Sequence, residues 1–192
     1  MAHVAVTALG LDQPGIVAAV TGVLVDHGGN LEDSAMTILG GHFAIMLVVE
    51  VPDDEDVAAL EAALACEVAP RGLTVAVRPV AEPVSQPAEA DAGEAGAGGA
   101  GAEGRSWSVS VHGADRPGIV HRVTRLLADH GANIVDLSTR RLGEGSRAAY
   151  VLLLAVTLAP GTDGVALGEE LGVVAGELGV DLHVRADDAD VL

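Results

Sequence analysis

Asp12, Pro14 and Gly15 return as Asp115, Pro117 and Gly118, and Asn30 returns as Asn133, each 103 residues further on. Their types and spacing point to recognition of a small zwitterion rather than to bond breaking. Asp-Gln-Pro-Gly-Ile-Val at 12–17 reads as a turn that opens a helix. A helix start offers unpaired N–H groups and a partial positive charge, a seat for a carboxylate. Gly15 removes a Cβ and admits a ligand or another backbone. Asp12 accepts hydrogen bonds from an ammonium group. Asn30, opening the following strand, both donates and accepts. The same residues also suit a purely structural role. In that reading Asp12 caps the helix, Pro14 takes the first position where a missing N–H costs nothing, and Asn30 tolerates the left-handed turn after Gly28 and Gly29. Both readings extend to the second copy.

No other constellation competes. There is no Gly-x-Ser-x-Gly, Walker or dinucleotide pattern. Gly96–Gly101 follows no strand and is not a phosphate loop. His27 and His130 fall at equivalent helix ends, where a cation suits the dipole. His3, His42, His112, His121 and His183 show no ligand spacing, so no metal site is expected. Cys66 is the single cysteine, which rules out a disulfide within the chain and is expected to be a small buried group on a helix. No cofactor and no catalytic activity are expected.

The elements that hold these residues follow from a duplication. Between residues 12–33 and 115–136, 13 of 22 positions are identical without a gap, which divides the chain into two domains. Residues 1–81 form domain one, 82–104 a flexible acidic Gly/Ala/Pro linker, and 105–192 domain two. In domain one, His3–Leu9 suits a strand. Ile16, Val17, Val20, Val23 and Leu24 make a helical apolar stripe. Leu31–Leu39 and Phe43–Val51 read as a hairpin about Gly40-Gly41. Pro52 and the acids 53–56 open a second helix, and Leu73–Val80 is a fourth strand. Domain two repeats this order, with a longer hairpin turn at Gly143-Glu144-Gly145. The fold class is α+β: two ferredoxin-like βαββαβ domains, each an antiparallel sheet with two helices on one face. The free sheet face must be covered or polar.

Charge and composition exclude whole classes of function. The chain carries 28 Asp and Glu against 10 Lys and Arg, a net charge of −18, and no Lys. Such a field repels phosphate backbones, so direct nucleic-acid binding is not expected. Phe43, Trp107 and Tyr150 are the only aromatics, which leaves no stacking platform for bases and makes the core aliphatic. The longest apolar run, Ala148–Val156, is too short for a membrane span. Without a secretion signal or a disulfide framework, a cytoplasmic protein is expected.

Asp-x-Pro-Gly-Ile, a helix ending in His-Gly, and Asn-Leu/Ile opening a strand, joined to the βαββαβ order, resemble the ACT domain. The resemblance covers both halves. Two such domains, with the Asn30–Ala44 run, are similar to the glycine cleavage system transcriptional repressor family. It implies a regulatory module in which domains pair side by side and bind amino acids at the pairing interface. Carried over by position, Asp12, Gly15 and Ile16 with Asn30 and Leu31 line one half-site. Asp115, Gly118 and Ile119 with Asn133 and Ile134 line the other. Some amino-acid-binding members carry His just before the Asp; here Leu11 and Ala114 stand there, with His112 nearby. The implied function is non-catalytic sensing of glycine or another small amino acid, with output through a regulatory protein partner. Pairing is intramolecular or between chains as a homo-oligomer. A constitutive dimerisation module without a small ligand is the alternative.

Two features lie outside that picture. Gly164, Gly168, Gly172 and Gly176 recur every fourth residue on the last helix, marking either a close neighbour or simple Gly-for-Ala drift. Arg116, Arg122, Arg125, Arg140, Arg141 and Arg147 make domain two less acidic than domain one. They form either a solvated surface or a face that meets acidic domain one.

Overall fold

The computed structural model describes residues 1–80, 105–142 and 149–187. The expected linker at 82–104 and the Gly143-Glu144-Gly145 turn lie outside the described residues, as does Arg147. In domain one the order is β1 (Ala2–Leu11), α1 (Ile16–Asp26), β2 (Asn30–Leu39), β3 (His42–Val51), α2 (Val57–Val68) and β4 (Thr74–Val80). Domain two repeats it as β5 (Arg105–Ala114), α3 (Ile119–Asp129), β6 (Asn133–Leu142), β7 (Ala149–Leu158), α4 (Gly164–Leu178) and β8 (Val180–Ala186).

Alternation along the strands sends Val4, Val6 and Ala8 of β1 and Phe43, Ile45, Leu47, Val49 and Val51 of β3 under the helices. From α1, Ile16, Val17, Val20 and Leu24 come down onto them, and from α2, Leu60, Leu64 and Val68. Cys66 falls off that i, i+4, i+8 stripe and is exposed, contrary to the expected burial. Both second helices start at side-chain caps. Asp56 accepts from Ala58 N–H at 2.9 Å, and Asp163 accepts from Val165 and Ala166 N–H at 2.9 and 3.2 Å. α1 and α3 start differently. Gly15 and Gly118 are their N-caps, at φ 85° and 87°, and no side chain caps either helix. Asp12 therefore does not cap α1, and Pro14 stands ahead of the first helical residue. The left-handed entry sets the chain direction, and only glycine adopts it without strain. It leaves the Asp12 carboxylate free for other partners.

The two domains share one eight-stranded antiparallel sheet, ordered β4-β1-β3-β2-β6-β7-β5-β8. The seam is β2 against β6, with Ser34 opposite Thr139 and Ala35 opposite Ser138. Ala35 and Ser138 are equivalent positions of the repeat, so a pseudo-twofold axis runs between them. In the helix layer it runs between Thr21 of α1 and Thr124 of α3, also equivalent, whose hydroxyl oxygens lie 3.5 Å apart. The opposite face of the sheet is neither covered nor uniformly polar among the described residues. Leu9 is 55% exposed and Met46 54%, set among Thr7, Thr37 and Thr74.

Candidate ligand-binding site at the domain seam

Each turn before α1 or α3 meets the opening of the strand from the other domain. Asn133 Nδ2 donates to Asp12 Oδ2 at 2.7 Å. Asn30 Nδ2 donates to both carboxylate oxygens of Asp115, at 3.2 and 3.1 Å. The candidate residues are thus grouped across the seam, not within a domain. Asp12, Gly15 and Ile16 line a cleft with Asn133 and Ile134, together with Gln13, Val17 and Phe43. Asp115 faces Asn30, and Gly118, Ile119 and Leu31 are the pseudo-symmetric counterparts of Gly15, Ile16 and Ile134. Asp12 thus meets Asn133 and Asp115 meets Asn30, so each cleft draws on both half-sites. The reason is physical: β2 and β6 are neighbours at the seam, so each strand opening lies beside the other domain's helix start.

Gln13 anchors the first turn by donating to the Arg71 carbonyl at 2.8 Å. The cleft at Asp12 is narrow, about 10 Å³, near the space of a single water. A larger guest must displace the Asn133 amide from Asp12 or part the turn from the strand. Among the described residues, Asn133 is the only side chain bonded to the Asp12 carboxylate.

The second site has the same skeleton and a different electrostatic filling. Arg141, on β6, pairs with Asp115 Oδ2 through Nε at 3.1 Å and with Glu32 Oε1 through Nη1. Glu32 is the extra residue of a bulge in β2 and is 4% exposed. Its other oxygen lies 3.1 Å from His3 Nε2. Glu50, beside His3 in the sheet, completes a group whose ligand atoms lie within 4.8 Å of one another. Ligand spacing along the sequence misses this group, because its members come from three strands. Glu32, its buried acid, already has protein partners in Arg141 and His3.

Tyr150 stands opposite Arg141 on β7. Burial pushes its phenol far above the ordinary tyrosine range; the Thr139 hydroxyl opposes that rise, and the carboxylates of Asp115 and Asp33 add to it. Phe43 holds the equivalent place in the first cleft. The occurrence of two of the three aromatics at matching places in the repeat is the sequence signal that could have found both. His112 is exposed, away from buried Val111 on β5, and does not join either site.

A βαββαβ module, doubled into one sheet with its helix starts facing the partner domain at the seam, defines the class. The ACT-domain family model matches residues 2–78 and again residues 107–166, and the chain belongs to the ACT-domain family as a tandem pair. Among individual relatives, the glycine cleavage system transcriptional repressor of Escherichia coli K12 is 28% identical over 150 residues, covering 78% of this chain and 70% of that protein. A UPF0237 protein of Methanopyrus kandleri is 42% identical over 81 residues, 42% of this chain and 86% of that protein. The crystal structure of aspartate kinase from Synechocystis matches with TM-score 0.52 at 18% identity, over 90% of this chain and 26% of that one, a likeness of fold alone.

Proposed function

We propose that this chain is a non-catalytic regulatory protein that senses a small amino acid, glycine among the candidates, at the seam between its two domains. One observation carries this reading. Each Asp at a helix-opening turn is bonded to an Asn from the other domain. The carboxylate accepts from an ammonium group, and the adjacent helix start receives the ligand's carboxylate. Because both domains supply the site, a ligand favours one arrangement of the seam over others, which is what coupling to a downstream event requires.

The similarity to the glycine cleavage repressor supports a transcriptional setting. With a net charge of −18, the output passes through a protein partner rather than through DNA contact. The open sheet face at Leu9 and Met46 has apolar surface to offer such a partner or a second chain. A cytoplasmic location fits this role; among the described residues, no helix is long and apolar enough to cross a membrane.

A thermal-shift screen over the twenty proteinogenic amino acids tests the reading. A ligand at 100 times its dissociation constant adds about 2.7 kcal/mol to the stability of the folded chain. The shift should vanish when both turns lose their carboxylates, in the double variant Asp12→Asn with Asp115→Asn. If the chain is well folded and no amino acid moves its melting temperature, it is instead a constitutive interaction module.

A further inference from the structure

We infer that only one of the twin sites accepts a ligand, and that Arg141 fills the other as a built-in substitute for the ligand's ammonium group. The inference rests on the amino-acid-sensing reading above and adds its stoichiometry and the residue that sets it. At Asp115 both carboxylate oxygens are engaged. Asn30 bonds to each, and the Arg141 guanidinium sits 3.1 Å from Oδ2. At Asp12 only Oδ2 has a side-chain partner among the described residues, and that partner is a neutral amide. An incoming ammonium meets an available carboxylate at Asp12, and at Asp115 one already paired with a cation of the chain.

The rest of the network is built on one side only. Continuing the register at the seam from Ser34–Thr139 and Ala35–Ser138 places Glu32 opposite Arg141, where the ion pair forms. On the other side of the axis the same register places Val135 opposite Ile38, the counterparts of Glu32 and Arg141. His3 and Glu50 are neighbours in the sheet; their counterparts, Ser106 and Thr157, are neighbours too and carry no charge. Nearer the axis the contrast persists. Thr139 donates to the Ser34 hydroxyl at 2.9 Å, and the matching positions are Leu137 and Met36. The counterparts of His3, Glu32, Glu50 and Arg141 beside Asp12 are therefore Ser106, Val135, Thr157 and Ile38, and none of them carries a charge.

Glu32 is buried, so Arg141 is held by a charge that has no better partner, and an amino acid must break this pair to take its place. The Asp12 cleft asks for the displacement of one amide hydrogen bond.

Titration calorimetry tests this, using whichever proteinogenic amino acid gives the largest thermal shift. One equivalent should bind per chain, and Asp12→Asn should reduce that to none while the circular dichroism is unchanged. The double variant Glu32→Val with Arg141→Ile, which copies the Val135–Ile38 pair onto the other side, should bind two. Two equivalents in the native chain, or one equivalent that survives Asp12→Asn, overturns the inference and leaves the sensing reading intact. A folded double variant that still binds one equivalent also overturns it. If the double variant does not fold, the native chain and Asp12→Asn decide by themselves. Absence of heat with every amino acid removes the sensing reading, and this inference falls with it.

Discussion

At the scale of single residues, Glu32 and Arg141 form a buried ion pair whose loss on one side strands a charge. Glu32 is buried, and Arg141 also serves Asp115. Arg141→Met leaves two carboxylates without their cation and should cost about 3 kcal/mol in urea unfolding. Adding Glu32→Val should recover much of that loss, since it removes the stranded charge; an additive double variant would contradict the pairing. Tyr150 gives a second residue-scale outcome. Its folded-state phenol titrates above the ordinary value, so the stability it lends is complete below about pH 10 and is lost as pH rises toward the folded value. The chain has one Tyr, so phenolate absorbance reports this residue alone. That absorbance should appear together with unfolding; its appearance in folded protein near pH 10 would refute the burial effect. Little of this was legible in the sequence. Repetition marked Asp12, Asn30, Asp115 and Asn133, but a repeat does not say which turn faces which strand. Arg141 looked like one surface arginine among six because its partners arrive from β2 and from the turn after β5. Of the other five, those with described partners bond within domain two: Arg116 to the Leu178 carbonyl, Arg122 to Glu177, Arg125 to Asp129.

At the scale of elements, periodicity carried the expectation well. Apolar spacing located α1 and α3 to within a residue or two of their ends, and the near-continuous apolar runs that form β3 and β7 belong to inner strands of the sheet. The helix starts were harder, because a left-handed glycine N-cap leaves no side-chain signature. The four glycines of α4 separate in the structure. A Cβ at Gly164 would come within 2.2 Å of the Trp107 indole, whereas at Gly172 and Gly176 it would meet nothing within 4 Å. The stripe thus marks one close neighbour and, at those two positions, drift. Gly172→Ala should raise stability by about 1 kcal/mol through helix propensity. Gly164→Ala should lower it by about 1–3 kcal/mol through overpacking. Thermal melts of the two variants should move in opposite directions, and movement in the same direction would contradict the close approach at Trp107.

At the scale of the whole molecule, one sheet and two contacting helices join the halves, and the buried side chains of both belong to a single cluster. Calorimetric unfolding should therefore give one transition with equal calorimetric and van't Hoff enthalpies; two resolved peaks would show that the halves melt separately. The axis between α1 and α3 carries a further lesson. On one side His121 lies against Gly22, where an added Cβ would come within 3.1 Å of the imidazole, and Nδ1–H donates to the Ala18 carbonyl at 3.2 Å. The counterparts of His121 and Gly22 are Ala18 and Arg125, so the mirror contact has neither the ring nor the hollow that receives it. Two identical subunits could not build this, since each position would need to be histidine and alanine at once. Covalent fusion frees each half from copying the other, and the molecule has used that freedom to give two inherited twins separate trades.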